Sequence, residues 1–403
     1  MGRLSVISPG FLAVIVAVSV LLWLSFVRLR RHRRVLAVTV AALATTMSLA
    51  TTADAVNVHF QYLPRVGDVL GQGAWPTAGS SGLLTAPAEA PVATGVSGAT
   101  VKTALAPAAP VAIPVRPRGA VVPIDILNAR GLGAPDGLAY LPPQYFTEPA
   151  RRFPVVYLLH GSPGVPLDWL RGGDAVGAGA AAANDGHPTI IVLPHVSQWW
   201  LDDSECVDGA REQVETYLFS AVLPSVDAQL RTVATRDARG IAGMSAGGYC
   251  ALNLGLRHRD QISTILDMSG LVRPTHAGGM TALFGRRADL DRVVAANTPE
   301  IYAKTLPAAP DMHVWLDSGS GDDEVLPGLT AMNATLRARG IDSGLHLRPG
   351  AHTFAVWRPG LRDSLGWASA RMSPGQSGQS SRVPQPAVSR TTGSAEPRGA
   401  TRR

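Results

Sequence analysis

The residues that most clearly suggest chemistry form the motif GMSAG at positions 243–247, a G-x-S-x-G pattern that occurs once in the chain. This pattern is typical of a nucleophilic serine on a sharp strand-to-helix turn, where the residues two before and two after the serine must be very small. Gly243 and Gly247 meet that requirement. The motif follows an apolar run and precedes a helical stretch whose N-terminal dipole would favour a developing negative charge. The pattern therefore predicts Ser245 as a nucleophile for acyl carbonyls.

A serine hydroxyl is a weak nucleophile without a neighbouring base. Four histidines follow Ser245 by more than one helix: His276, His313, His346 and His352. Two of them lie inside apolar runs, where a packing role is the better interpretation, and His276 precedes any plausible acid-bearing loop. His352 directly follows the last apolar run, and the loop after the last strand is where the base belongs in enzymes with this serine turn. We therefore expect His352 to be the base.

The acid that orients this histidine is expected after the preceding strand, where the sequence is DSGSGDDE at 317–324. A buried carboxylate must reach the Nδ1–H group of the histidine. A turn at the two glycines places Asp322 just beyond it, which favours Asp322. Asp323 and Asp317 remain alternatives, and some of these carboxylates belong only to a solvated loop.

Two backbone N–H groups are needed to bind the oxyanion that forms during attack on the carbonyl. One belongs to the residue after the nucleophile, Ala246, and the other to the loop after the third strand. That loop reads HGSPG at 160–164. Pro163 has no N–H group, so Ser162 is the predicted second donor. A plain turn at His160-Gly161 is the alternative interpretation.

The elements that must position these residues are short apolar runs separated by longer helical stretches. The runs are Val155–Leu159, Thr189–Leu193, Gly240–Met244, Ser263–Met268, His313–Leu316 and Gly344–Leu347, and the helical stretches include Val214–Leu230, Gly247–Leu256 and Gly328–Arg339. Such alternation predicts an α/β fold with a mostly parallel sheet and helices on both faces. Ligands bind at the carboxyl ends of the strands in such sheets, which is where the candidate residues lie.

Two uncharged apolar stretches, Phe11–Val27 and Val35–Ala53, flank the arginine-rich segment RLRRHRR. Both are long enough for transmembrane helices, and the positive-inside rule places the basic loop in the cytoplasm. The remainder of the chain would then lie outside. The alternative is a cleaved signal peptide that ends at Ala53-Asp54-Ala55; this too exports the rest of the chain, but it leaves the first stretch unexplained.

The net charge of +6 is confined to the ends of the chain: residues 1–55 and 371–403 each carry +5, which leaves −4 for residues 56–370. Nucleic-acid binding requires a basic surface on the folded part, so we expect no nucleic-acid partner. Composition predicts four regions: a membrane anchor (1–55), a juxtamembrane segment and Ala/Pro-rich linker (56–118), a catalytic domain (119–370) and a disordered tail (371–403).

The chain has two cysteines, Cys206 and Cys250. Export to an oxidising compartment favours a disulfide between them, although two unrelated buried thiols are the alternative. No His/Cys cluster has metal-ligand spacing, so we expect neither a metal nor an organic cofactor.

The chain resembles the esterase D and antigen 85 branch of the α/β-hydrolases, closest to membrane-anchored esterases of actinobacteria. The resemblance lies in VVYLLHGSPG (155–164) with Asp168-Trp169, SECVDGAREQVETYL (204–218), IAGMSAGGYCAL (241–252) and GAHTFAVWRPGL (350–361). Ala246 stands where family members commonly have methionine, which leaves its backbone donor intact. The resemblance implies Ser245, Asp322 and His352 as the triad, the N–H groups of Ser162 and Ala246 as the oxyanion hole, and proximity of the two cysteines.

Taken together, these features predict an extracytoplasmic serine esterase that acts on a small-molecule or lipid ester through an acyl-enzyme. Two alternatives remain: an acyl (mycolyl-type) transferase of the cell envelope, and a non-catalytic binding protein with a hydrolase fold. The intact Ser245 and His352 argue against the second alternative.

Overall fold

A computed structural model describes residues 6, 8–63, 117–129, 131–134 and 136–372 of the chain. Of the juxtamembrane segment and linker predicted for 56–118, only residues 56–63 and 117–118 are among the described residues. The predicted tail at 371–403 lies outside them except for its first two positions.

The catalytic domain is built on an eight-stranded sheet with the strand order β1-β2-β4-β3-β5-β6-β7-β8. β1 and β2 pair antiparallel, as do β2 and β4, and every other neighbouring pair is parallel. The strands are β1 Ala120–Asp125, β2 Asp136–Leu141, β3 Val155–Leu159, β4 Ile190–Pro194, β5 Arg239–Met244, β6 Thr264–Met268, β7 His313–Gly319 and β8 Asp342–Arg348. The predicted mostly parallel sheet is therefore confirmed. The apolar runs did not reveal β1 and β2, which form its antiparallel edge.

Helices cover both faces of the sheet, as side chains of successive residues in β3 illustrate. Val155, Tyr157 and Leu159 pack into one hydrophobic cluster, and Val156 and Leu158 pack into the other. The first cluster includes residues of the helices Ala246–Arg257 and Leu326–Ala338; the second includes residues of Ala175–Asn184 and Phe354–Met372. Since neighbouring side chains of a strand point to opposite faces, a strand buried on both faces must be apolar throughout, as VVYLL is.

The other helices of the domain are short. They are Pro143–Thr147, Leu167–Arg171, Val214–Tyr217, Leu223–Gln229, Gly279–Phe284, Leu290–Ala296 and Pro299–Tyr302. The single helix expected over Val214–Leu230 is interrupted by a π-helical turn at Leu218–Val222. Pro224, near the start of the helix that follows, has no N–H to donate, and such a residue favours a local shift of the hydrogen-bond ladder.

Two long helices, α1 (Pro9–Leu29) and α2 (Arg34–Phe60), precede the domain. Both are long and apolar enough to cross a membrane, a criterion that signal sequences and core helices can also meet. They pack against each other through small residues: Ala37 and Ala44 of α2 are buried, and Ser19 and Ser48 share a hydrogen bond of 3.0 Å. Small residues at such an interface let helix backbones approach closely.

Candidate active site

Ser245 occupies a sharp turn between β5 and the helix Ala246–Arg257. Its backbone has φ 55° and ψ −124°, a conformation that a non-glycine residue rarely adopts. A Cβ atom on Gly243 would lie 1.9 Å from the carbonyl oxygen of Gly247, and one on Gly247 would lie 2.4 Å from that of Leu159. The two small residues of the motif are therefore required by direct contact with backbone atoms, as the sequence pattern predicts.

The structure brings three of the predicted residues together in one hydrogen-bonded line. Nε2 of His352 lies 2.8 Å from Oγ of Ser245, and Nδ1 of the same ring lies 2.9 Å from Oδ2 of Asp322. Asp322 is buried, whereas about a third of the His352 side chain is exposed. An imidazole placed in this way can accept a proton from the serine while the carboxylate fixes its tautomer.

Backbone hydrogen bonds fasten the loop that carries the acid to the loop that carries the histidine. The N–H of Ser320 donates to the carbonyl of Arg348 at 2.7 Å, and the N–H of Gly321 donates to that of Gly350 at 2.8 Å. Both loops leave the carboxyl ends of adjacent parallel strands, β7 and β8. The distance between the carboxylate and the imidazole is therefore set by the sheet itself.

The two alternative acids lie in different surroundings. Asp317 is buried within β7, where Nε of Arg348 donates to it at 2.9 Å and Nε1 of Trp315 donates at 3.2 Å. Burial raises the pKa of Asp317 to about 6, although the guanidinium of Arg348 opposes that shift. Asp323 is exposed to solvent. Among the three candidates, Asp322 is the one that is hydrogen-bonded to His352.

The remaining histidines have packing partners. The ring of His346 stacks on Trp315 with the centroids 3.4 Å apart, and Nδ1 of His313 lies 3.0 Å from a carboxylate oxygen of Asp342. His276 lies in a loop near Asp203 and lines a surface cavity with it. Nδ1 of His276 accepts a hydrogen bond from the N–H of Gly278 at 3.0 Å.

Ser162 and Ala246, the two predicted oxyanion donors, line one small cavity beside the nucleophile. Their backbone N–H groups donate no hydrogen bond to any other residue that the structure describes. A Cβ atom on Gly161 would lie 3.3 Å from that of Ser245, so this loop passes directly over the serine. Free donors at this position are what a developing oxyanion requires.

His160 connects the loop that carries Ser162 to the segment after β4. Its ring is buried, with Nδ1 2.9 Å from the Gly161 carbonyl, and the N–H of Val196 donates to Nε2 at 3.2 Å. Burial lowers the pKa of His160 to about 4. The ring is therefore neutral at physiological pH, with a proton on Nδ1 and an acceptor at Nε2, which suits both contacts.

The segment after β4 forms a further wall of the site that the motifs did not reveal. Asp202, Asp203 and Ser204 line the same cavity as the oxyanion donors. Glu205 accepts hydrogen bonds from the N–H and the hydroxyl of Thr275 at 2.5 and 2.8 Å, and burial raises its pKa to about 8. The position of this segment after the carboxyl end of a parallel strand is the signal that could have identified it.

The predicted cysteine pair is bonded in the structure, with the Cα atoms of Cys206 and Cys250 5.5 Å apart. Cys250 lies in the helix that begins just after the nucleophile, and Cys206 ends the acidic segment. The disulfide therefore ties the acidic wall of the cavity to the nucleophile helix.

Comparison with known proteins places this arrangement in a family. A family model described as "Putative esterase" matches residues 135–368. An uncharacterized protein of Corynebacterium glutamicum is 26% identical over 344 residues, which cover 82% of this chain and 75% of that protein. An esterase of Mycobacterium tuberculosis is 29% identical over 278 residues, which cover 61% of this chain and 58% of its own length.

Solved structures show the same fold. A ferulic acid esterase superposes with a TM-score of 0.55 at 23% identity, covering 63% of this chain and 98% of its own. An S-formylglutathione hydrolase of Agrobacterium tumefaciens superposes with a TM-score of 0.53 at 17% identity, covering 64% of this chain and 97% of its own. The expected α/β-hydrolase fold and the resemblance to this group of esterases are both confirmed.

Proposed function

This chain belongs to the esterase family whose model matches residues 135–368, and from that premise we propose that it is a serine esterase with a Ser245–His352–Asp322 triad. The observation that supports this best is the position of His352, whose two ring nitrogens lie within hydrogen-bond distance of Ser245 and of Asp322. Few functions other than nucleophilic catalysis require an imidazole between a hydroxyl and a buried carboxylate.

In the proposed reaction, Oγ of Ser245 attacks the carbonyl carbon of an ester while its proton moves to Nε2 of His352. The carbonyl oxygen becomes an oxyanion that the N–H groups of Ser162 and Ala246 bind. The tetrahedral intermediate collapses as the alkoxide leaves with the proton from His352, and an acyl-enzyme remains. Water then attacks the carbonyl carbon of the acyl-enzyme while His352 accepts its proton. His352 returns that proton to Oγ of Ser245 as the carboxylic acid is released.

We further propose that the catalytic domain lies on the extracytoplasmic side of a membrane and that α1 and α2 anchor it. The proposal is supported by the five arginines of the segment RLRRHRR at the junction of the two helices, because short loops rich in arginine stay in the cytoplasm. A disulfide in the domain suits the same location, since disulfides persist in oxidising compartments.

Ester hydrolysis by the full-length chain tests the proposed nucleophile. With p-nitrophenyl acetate as substrate, we expect Ser245→Ala to lose activity by a factor on the order of 10⁴ or more, because removal of one triad member abolishes the covalent route. Ser220→Ala is the matched control, since Ser220 is exposed and lies away from the site on the π-helical turn. Equal rates for Ser245→Ala and its parent would exclude the assignment.

A further inference from the structure

We propose that the surface formed by Trp199, Trp200 and Leu201 rests on the lipid bilayer that anchors the chain, so that the active site opens toward esters that reside in that bilayer. The inference rests on the proposed function and names its substrate class: an amphiphilic ester, drawn from the membrane rather than from solution.

The three residues are consecutive in the chain, apolar and strongly exposed. Trp199, Trp200 and Leu201 are 67%, 58% and 64% exposed. The other strongly exposed large apolar residues described in the catalytic domain are Leu127, Ile301 and Leu347, each isolated in the sequence. Scattered apolar residues are ordinary on protein surfaces, whereas a contiguous group marks a site of interaction.

Hydrogen bonds fasten this surface to the loop over the nucleophile. The N–H of Gly164 donates to the carbonyl of Trp200 at 2.8 Å, and the hydroxyl of Ser162 donates to that of Asp202 at 3.1 Å. The N–H of Asp202 also closes a turn onto the carbonyl of Trp199 at 2.9 Å. A surface that contacts the tryptophans therefore lies beside the loop that carries Ser162, the proposed oxyanion donor.

The second apolar helix reaches the domain at this same loop. The hydroxyl of Tyr62 donates to Oδ1 of Asp168 at 2.7 Å, and Oδ2 of that carboxylate accepts from the N–H of Val165 at 2.8 Å. Val165 directly follows Gly164, the residue bonded to Trp200. The ring of Tyr62 also lies against Phe354, two residues beyond His352, with the centroids 5.1 Å apart.

Tyr62 is held to the end of α2 rather than to a loose segment. The side-chain amide of Asn57 accepts from the N–H of Leu63 at 2.7 Å and donates to the Leu63 carbonyl at 2.9 Å. These two bonds fold residues 61–63 back onto the last turn of the helix. Asp168, Val165 and Gly164 therefore connect the end of α2 to Trp200.

The length of α2 brings the bilayer surface close to this corner. At 1.5 Å per residue its 27 residues span about 40 Å, whereas the hydrocarbon core is about 30 Å thick. The surplus lies at the end that carries Asp54, Asn57 and His59, so the helix ends at Phe60 about 9 Å beyond Asp54. Tyr62, which is folded back onto this last turn, therefore lies close to the headgroup layer. Tryptophan is enriched at that depth because its ring is apolar and its N–H is polar.

The charges beside the surface allow contact with a neutral bilayer. Asp202, next to Leu201, forms an ion pair of 3.3 Å with Arg211, so the carboxylate nearest the tryptophans is balanced. A zwitterionic membrane is therefore sufficient for docking, and anionic lipid is not required.

Fluorescence quenching by brominated lipids tests the inference. The full-length chain is reconstituted into phosphatidylcholine vesicles with bromines on the acyl chains, and it is compared with Trp199→Phe/Trp200→Phe. Trp23 of α1 is quenched in both proteins, but we expect the variant to lose a distinct quenchable component because its two interfacial fluorophores are gone. Equal quenching in the two proteins would overturn the inference. Protection of these tryptophans from a water-soluble quencher by a soluble sugar or by a second copy of the chain, and not by the vesicles, would overturn it as well.

Substrate selectivity provides a second measurement. For Trp199→Ser/Trp200→Ser/Leu201→Ser, we expect the ratio of turnover on a long-chain ester embedded in these vesicles to turnover on p-nitrophenyl acetate to fall on the order of tenfold, equivalent to about 1.4 kcal/mol. Leu347→Ser is the matched control and should leave the ratio unchanged; an unchanged ratio in the triple variant contradicts the inference. Quenching needs no turnover, so the two proposals can fail separately. An inactive parent protein whose tryptophans are quenched would refute the proposed function alone. An active parent protein whose tryptophans are not quenched would refute this inference alone.

Discussion

Asp322 and Asp317 are both buried carboxylates, one in the loop after β7 and the other within β7, yet their partners differ. Asp322 faces Nδ1 of His352, whereas Asp317 accepts a hydrogen bond from Nε of Arg348. A carboxylate paired with a guanidinium contributes to folding, and one paired with an imidazole can orient a base. The roles proposed for the two residues follow from these partners and not from their burial.

Asparagine substitutions separate these roles. We expect Asp322→Asn to lower turnover by a factor on the order of 10⁴ while the fold is retained, because the amide stabilises the wrong imidazole tautomer. Asp323→Asn is the matched control, since Asp323 is the exposed neighbour and should stay within a few-fold of the parent. Steady-state rates with p-nitrophenyl acetate provide the measurement. A dead Asp323→Asn beside an active Asp322→Asn would contradict the proposed acid.

At the level of residues, the sequence predicted where the candidate site lies because its spacing rules reflect backbone contacts. The small residues around Ser245 are explained by carbonyl oxygens less than 2.5 Å from any added Cβ. The acidic wall at Asp202 and Asp203 was not predicted, since a loop after a strand has no spacing rule of its own. Its proximity to the serine depends on β4 and β5 both flanking β3.

At the level of elements, the last strands carry buried carboxylates whose ionisation affects stability. Asp267 in β6 is fully buried; the N–H of Gly270 donates to Oδ1 at 2.7 Å, and Oδ2 has no hydrogen-bond partner among the described residues. Burial, assisted by the nearby Asp317 carboxylate and opposed by the hydrogen bond from Gly270, raises its pKa to about 7. Asp267 therefore keeps its proton in the folded protein at pH values where the unfolded chain has lost it.

This difference predicts a pH dependence of stability with a definite sign. Because the folded pKa lies above the unfolded value of about 3.9, the stability that the bound proton provides is present at low pH and is lost as pH rises from about 4 to about 7. Asp267→Asn should reduce the decline of Tm over this range, whereas Asp323→Asn at an exposed site should not. Thermal unfolding of both variants between pH 4.5 and 7.5 is the measurement; an unchanged slope in Asp267→Asn would show that this group is ionised in the fold.

The elements that sequence patterns missed have physical reasons for being inconspicuous. β1 contains Pro123, which lacks an N–H for the ladder and is tolerated because the strand lies at the edge of the sheet. The long helix Phe354–Met372 contains Pro359, a residue that usually argues against a helix interior. In both places tertiary packing outweighs the local preference.

At the scale of the whole molecule, the fold class could be predicted because parallel strands and helices alternate along most of the domain. The position of the N-terminal helices relative to the catalytic domain could not, since it depends on single contacts such as that between Tyr62 and Asp168. Such a contact joins residues 106 positions apart and leaves no periodic pattern in the sequence.

The proposed orientation in the membrane predicts which positions an impermeant reagent reaches. In intact cells, a cysteine introduced as Arg31→Cys should be protected from a membrane-impermeant maleimide because the arginine-rich loop is cytoplasmic. A cysteine introduced as Ser220→Cys, on the exposed face of the catalytic domain, should be labelled. Labelling at both positions, or release of a soluble chain that begins near Val56, would contradict the anchored hairpin.

Covalent labelling establishes whether Ser245 is a nucleophile that His352 and Asp322 activate. The full-length chain is treated with a fluorophosphonate, and the modified residue is identified by peptide mass spectrometry. A serine without an activating base reacts negligibly with this reagent, so we expect one adduct, on Ser245, that disappears in Ser245→Ala and is strongly reduced in Asp322→Asn. An unlabelled parent protein, or an adduct on another serine that persists in Ser245→Ala, would show that Ser245 is not the activated nucleophile.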